Sequence, residues 1–180
     1  MFSALLLTFS ATVEPAAGED VRSLFREAWK DYEQEHYGEV TARLRSLLRL
    51  LEDETARRVE AIIPERVGDW SGGDPKRESL AALGGGVSIE RSYRKEAKEI
   101  TVKVLRDSPV ADKLAEVLGN DDLVAWAGAR VHRVQGEQAI FEGERKLMMV
   151  VKGRIYVELR GDNDTGRADL LSLARKLDLR

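Results

Sequence analysis

The side chains with the clearest chemical potential are cations. Arg91, Arg94, Lys95, Lys98 and Lys103 crowd into one short stretch, with Tyr93 among them. Clustered Lys and Arg raise the local concentration of anions, so this set could hold a phosphate or an anionic lipid headgroup. The plainer account is a solvated face whose charges keep a strand edge from pairing with other chains. Arg91, Tyr93, Arg94, Lys95, Lys98 and Lys103 are the binding candidates on this reading, with Tyr156 a further contact in any pocket between sheet and helices.

Other chemistries fare worse. His36 and His132 lie far apart in the chain, and neither has a partner at metal-ligand spacing. His132 reads as a satisfied surface histidine. Asp162, Asn163, Asp164 and Asp169 suggest calcium, yet counting from Asp162 puts Arg167 where the loop needs glycine and Leu173 where it needs the closing glutamate. A turn followed by a helix cap is the better reading of that segment. Gly84-Gly85-Gly86 invites a phosphate-cradling interpretation, but the triplet precedes a strand, whereas such a loop opens a helix. It reads as a flexible entry to a sheet. The G-x-S-x-G pattern of a serine nucleophile is missing, and there is no cysteine. The expectation is a chain with no catalytic residues, no metal and no cofactor.

Those residues need elements to position them. Asp20 is placed to cap a first helix, in which Val21, Leu24, Phe25, Ala28, Trp29 and Tyr32 recur at i, i+3, i+4 and i+7. The pattern breaks at His36-Tyr37-Gly38. A second helix follows from about Glu39, with Val40, Leu44, Leu47, Leu48, Leu51, Val59, Ile62 and Ile63, and Pro64 ends it. Two amphipathic helices with a short joint predict an antiparallel hairpin. A lone hairpin cannot bury its own apolar face, so it packs on the rest of the chain in preference to a partner. Residues 67–86 read as a linker, with Trp70 plugged into the core.

From Val87 the apolar residues alternate. Val87, Ile89 and Tyr93 face one way, with Arg91 breaking that side near an edge. Ile100, Val102 and Val104 pair with them across a hairpin. Ser108 caps a helix with Pro109 at its first position and Gly119 at its end. Asp121 to Trp126 reads as a helical turn. Strands follow at 130–134, 138–141, 147–151 and 155–159. The apolar run Leu147–Val151 predicts a central strand covered on both faces. Asp164 or Thr165 caps a last helix with Leu170, Leu173, Ala174 and Leu177 inward. The predicted fold class is α+β: an N-terminal helical hairpin (19–66), a linker (67–86), then a mostly antiparallel sheet covered by helices (87–180).

Composition narrows the function classes. The 180 residues carry 29 basic and 32 acidic side chains, a net charge of -3. Nucleic-acid affinity rests on Lys and Arg neutralising phosphates, and neither half of this chain is strongly basic. No apolar run reaches the roughly 18 residues a spanning helix needs. The run Phe2–Phe9, followed by Ala16-Ala17-Gly18, has the look of a signal peptide over residues 1–18, with cleavage before Glu19. It lacks the usual preceding Lys or Arg. The expected location is periplasmic or secreted, with cytoplasmic the alternative.

Several resemblances extend this. Ala28, Tyr32 and Tyr37-Gly38-Glu39 are similar to one tetratricopeptide unit. Trp70, Gly84-Gly85-Gly86, Ser92-Tyr93-Arg94-Lys95, Asp107-Ser108-Pro109 and Gly136-Glu137-Gln138-Ala139 come in an order that resembles a family of uncharacterised exported bacterial proteins, over about residues 19–180. The strand order also resembles the α/β/α sandwich of Mog1/PsbP-like proteins, which work as binding and assembly factors. These likenesses imply a non-enzymatic binding or assembly protein of the bacterial cell envelope, whose partner is another envelope protein or an anionic surface. The alternative is a small-ligand carrier or enzyme with a pocket between sheet and helices.

Overall fold

A computed structural model describes residues 17–120, 122, 124 and 131–179. The signal-peptide reading of residues 1–18 and the helical turn at 121–126 therefore lie almost wholly outside the described residues, although 122 and 124 are helical. Backbone contacts divide the chain into two units, the first ending at Leu51 and the second running from Glu52.

The first unit is the predicted hairpin. Helix α1 spans Ala17–Glu33 and helix α2 spans Tyr37–Ile62. Asp20 is not a cap, because the helix has already begun three residues earlier. Between the helices Glu35 takes a positive φ of 61°, and the His36 N–H returns to the Asp31 carbonyl at 2.9 Å. Arg43 of α2 reaches across to both Glu27 and Asp31 of α1, which pins the two helices side by side.

The second unit begins with the last three turns of α2. Ala56, Val59, Ile62 and Ile63 join the main core there. Ile63 ends the helical run because Pro64 follows. Residues 67–86 are more than a linker. Short strands β1 (Arg66–Val67), β2 (Trp70–Gly72) and β3 (Lys76–Ser79) all join the sheet, and Trp70 is buried as expected. Strand β4 (Val87–Lys95) then pairs with β5 (Lys98–Arg106) over its whole length. Helix α3 (Pro109–Leu118) starts as read: the Ser108 hydroxyl accepts the Val110 N–H at 3.3 Å. Strands β6 (Val131–Val134), β7 (Glu137–Glu142), β8 (Lys146–Val151) and β9 (Ile155–Gly161) complete the sheet, and α4 (Arg167–Ala174) closes the chain.

The strands run in the order β1-β2-β4-β5-β9-β8-β7-β6, with β3 also on β4. Every pairing among the described residues is antiparallel. The chain is α+β, as the alternation predicted. Ile100, Val102 and Val104 are completely buried on one sheet face, with Leu147, Met149, Val157 and Leu159. Leu170, Leu173 and Ala174 of α4 and the end of α2 cover that face. Helix α3 covers part of the other, where Leu105, Ala111 and Tyr156 meet. β8 is an inner strand, as expected, and α3 covers Met148 and Val150 only in part.

Two local expectations change. The glycine triplet is not a flexible entry but a required shape. All three residues take positive φ, and a Cβ on Gly86 would lie 2.5 Å from the carbonyl oxygens of both Arg106 and Asp107. Only glycine lets the backbone pass there. The cap of α4 is Gly166, not Asp164 or Thr165. The Asp169 carboxylate accepts the Gly166 N–H at 3.2 Å, so the acidic residue caps from inside the first turn.

Candidate functional site

Register fixes which side chains share the sheet face that α3 only partly covers. Ser92, Thr101, Arg160 and Lys146 form one row across β4, β5, β9 and β8. Glu90, Lys103, Glu158 and Met148 form the next, and Ser88, Leu105, Tyr156 and Val150 the third. Leu114 of α3 packs over the third row. The first two rows remain an open groove of about 660 Å³, apolar under the helix and charged away from it. That is the size of a small-ligand cleft.

Glu158 is the hub of the groove. It accepts from the Tyr156 phenol at 2.8 Å and from Arg160 at 2.8 Å, and Lys146 stands 3.7 Å away. Burial pushes the Tyr156 phenol above its ordinary range, and the Glu158 carboxylate raises it further. Lys146 also binds Glu142 at 2.8 Å, which holds that carboxyl below the usual carboxylate range. Lys103 stands between Glu90 and Glu158 in register but forms no ion pair among the described residues. The arrangement can bind.

The six candidate residues do not come together. Lys103 alone lies in the groove. Arg94 is exposed and paired with Glu99 at 2.8 Å. Lys95 is paired with Asp69 at 3.2 Å, and its hydrogen bond holds the Asp69 carboxyl low. Lys98 is paired with Asp169 at 2.9 Å. Arg91 and Tyr93 sit on the opposite, core-facing side. Arg91 does lie near an edge, in the stretch of β4 that β2 and β3 leave unpaired, but its side chain is buried. Its Cδ packs on Gly72, where a Cβ would come within 2.7 Å, and its Nε has no hydrogen-bond partner among the described residues. Tyr93 is fully buried, and its hydroxyl donates to the Pro64 carbonyl at 2.7 Å. The period of two in a strand sends neighbours to opposite faces, which splits any cluster read from a linear run.

Sequence reasoning missed Lys146, Glu158 and Arg160. They come from strands far from the first hairpin, and only the β5–β9 and β8–β9 registers place them beside Lys103. His132 is also not the satisfied surface residue expected. Its ring meets Phe141 edge-on at 5.1 Å, and its Nε2 is buried with no hydrogen-bond partner among the described residues. Asp162 does serve a turn: it accepts the Glu99 N–H at 2.8 Å, the Asp164 N–H at 3.1 Å and the Thr165 hydroxyl. Among the described residues no group of acidic or histidine side chains is placed to hold a metal.

The hairpin carries a second feature. Phe25, Ala28, Trp29 and Tyr32 of α1 and Val40 and Leu44 of α2 line an apolar groove of about 340 Å³. The stripe was expected to be covered. Instead Trp29 is 63% exposed, Tyr37 60% and Leu48 60%, with Phe25, Tyr32, Leu44 and Leu51 also exposed. The period correctly gathers these residues on one side, but only Ala28 of the α1 stripe is buried. The rings are ordered against one another, Trp29 on Tyr32 at 5.7 Å and Tyr32 on Tyr37 at 6.2 Å.

No family model, curated protein or solved structure matches the chain. Among the described residues no helix is long and apolar enough to cross a membrane.

Proposed function

We propose that this chain is a non-enzymatic binding or assembly protein of the bacterial cell envelope, and that it acts through protein–protein contact at its helical hairpin. The observation that carries the reading is the run of large apolar side chains left exposed along α1 and α2. Contiguous apolar patches of this kind mark interaction sites on folded proteins. Trp and Tyr are the side chains that most often anchor such contacts. The apolar segment Phe2–Phe9 before Ala16-Ala17-Gly18 supports the envelope as the location. A photo-crosslinking residue at position 29, introduced in the native host, tests the contact. A discrete crosslinked species is expected, together with an amino terminus at Glu19 by mass spectrometry. Uniformly uncrosslinked protein overturns the contact, and an intact Met1 overturns the location.

A second reading has its own observation. The groove beside α3 supports a small-ligand carrier, with Lys103, which forms no ion pair among the described residues, as its cation and Leu105, Leu114 and Met148 as its apolar wall. Protein purified from the host would then carry a small-molecule adduct in native mass spectrometry, and Lys103→Glu would remove it. Adduct-free protein removes this reading.

A further inference from the structure

We infer that the exposed face of the hairpin binds a second copy of this chain, the two hairpins packing antiparallel as a four-helix bundle. This rests on the reading of the hairpin as a protein-contact surface and names the partner.

The first argument is shape. Exposed apolar side chains lie on both helices: Phe25, Trp29 and Tyr32 on α1, and Tyr37, Leu44, Leu48 and Leu51 on α2. Two helices held side by side present a groove between two ridges, and the surface that fills such a groove best is another pair of the same kind. The platform is fixed before binding, because Arg43 is ion-paired to both Glu27 and Asp31. Little ordering entropy is then lost on association.

The second argument is area. A large side chain carries about 150–250 Å². At roughly half exposure, the seven exposed residues offer on the order of 700 Å² per copy. A stable interface needs about 800 Å² per partner, and the rim supplies the rest. The stripe is thus sized for a complete interface.

The third argument is charge. The tip of the hairpin carries Glu33, Glu35 and Glu39 against Lys30, with Asp31 already paired to Arg43. Towards the open end stand Arg22, Arg26, Arg45 and Arg49, all exposed, against Glu19, Asp20 and Glu27, the last paired to Arg43. In an antiparallel dimer the tip of one copy lies on the open end of the other. Each acidic tip then meets these arginines. Arg22 and Glu35 flank Trp29 at similar distances along the chain, so a twofold axis near Trp29 brings Arg22 of one copy towards Glu35 of the other. A parallel pairing would set the acidic tips together, which costs affinity.

The test is sedimentation velocity of the full chain at about 50 μM, where a micromolar dimer is nearly fully formed. The expected mass is twice 20.2 kDa. Trp29→Glu with Leu48→Glu should give a monomer whose far-ultraviolet circular dichroism is unchanged, since both positions are largely exposed. Arg22→Glu alone and Glu35→Arg alone should each weaken the dimer about tenfold, and the two together should restore it. A monomeric parent, or a dimer that survives Trp29→Glu with Leu48→Glu, overturns the inference. A double charge reversal no better than the singles overturns the antiparallel arrangement. A monomeric parent that still crosslinks to another protein through position 29 defeats only the second-copy inference. A monomer that crosslinks to nothing defeats the reading it rests on as well.

Discussion

Helix α2 belongs to both units, and its two halves meet opposite fates. Leu44, Leu48 and Leu51 stay exposed in the hairpin. Val59 and Ile62, on the same helix, and Ile63 directly after it are buried on the sheet. The apolar period is similar in both halves. Periodicity reports which side chains share a face, and the amount of partner surface decides whether that face leaves water. In the sheet unit a broad β layer supplies that surface. In the hairpin only Ala28 and Leu47 of the described apolar side chains are buried, and most of the stripe is left over.

The largest effect that sharpens this contrast comes from one charge placed in each half. Ile63→Asp buries a carboxylate in a site with no exposure at all and should cost about 4 kcal/mol or more, enough to abolish folding. Leu48→Asp should change the stability of the monomer by no more than about 0.5 kcal/mol. Urea denaturation of both variants decides it. Comparable losses at the two positions would mean that the hairpin stripe is covered after all.

Glycine substitutions give a smaller contrast of the same kind. Gly86→Ala forces a side chain into a positive φ of 91° and onto two carbonyl oxygens, and should cost about 3 kcal/mol. Gly38, in the first turn of α2, has nothing within 4 Å of a Cβ. Gly38→Ala should stabilise by about 0.5 kcal/mol through its helix propensity. Thermal melts of the two variants should therefore move in opposite directions. A neutral Gly86→Ala would return the triplet to a flexible linker.

Much of the fold was legible because its signals are local. Ser108-Pro109 states a helix start, and alternation at Ile100, Val102 and Val104 states a strand with one dry face. Strands β1 to β3 were not legible. They are two to four residues long, too short for a period to show, and they join the sheet through partners distant in the sequence or through each other: β2 and β3 pair with β4, and β1 with β2. The groove was half legible. Lys103 was visible within the first hairpin, whereas Lys146, Glu158 and Arg160 reach it only through a register that no local pattern encodes. The cationic cluster failed for the complementary reason: neighbours in sequence are neighbours in space only on the same face.

Acid gives the smallest and most selective contrast. In the sheet unit, the Thr165 hydroxyl and the Glu99 and Asp164 N–H groups hold the Asp162 carboxyl below its ordinary range, although burial works against them. For Asp169, burial pushes the carboxyl up, but Lys98 and the Gly166 N–H together hold it low. A carboxyl whose folded pKa is depressed contributes stability that is present above its unfolded pKa, and that stability is lost as pH falls through the folded value. Both groups join the end of β9 and the start of α4 to β5, so this corner should open first below about pH 4. Amide hydrogen exchange should show Glu99, Asp164 and Gly166 losing protection there while the β5–β9 ladder keeps it. Asp162→Asn should remove part of that pH dependence, because the amide does not titrate; its one oxygen can keep the Asp164 and Thr165 bonds, while its NH2 cannot accept the Glu99 N–H. An unchanged acid profile in Asp162→Asn would place the acid-sensitive contacts elsewhere.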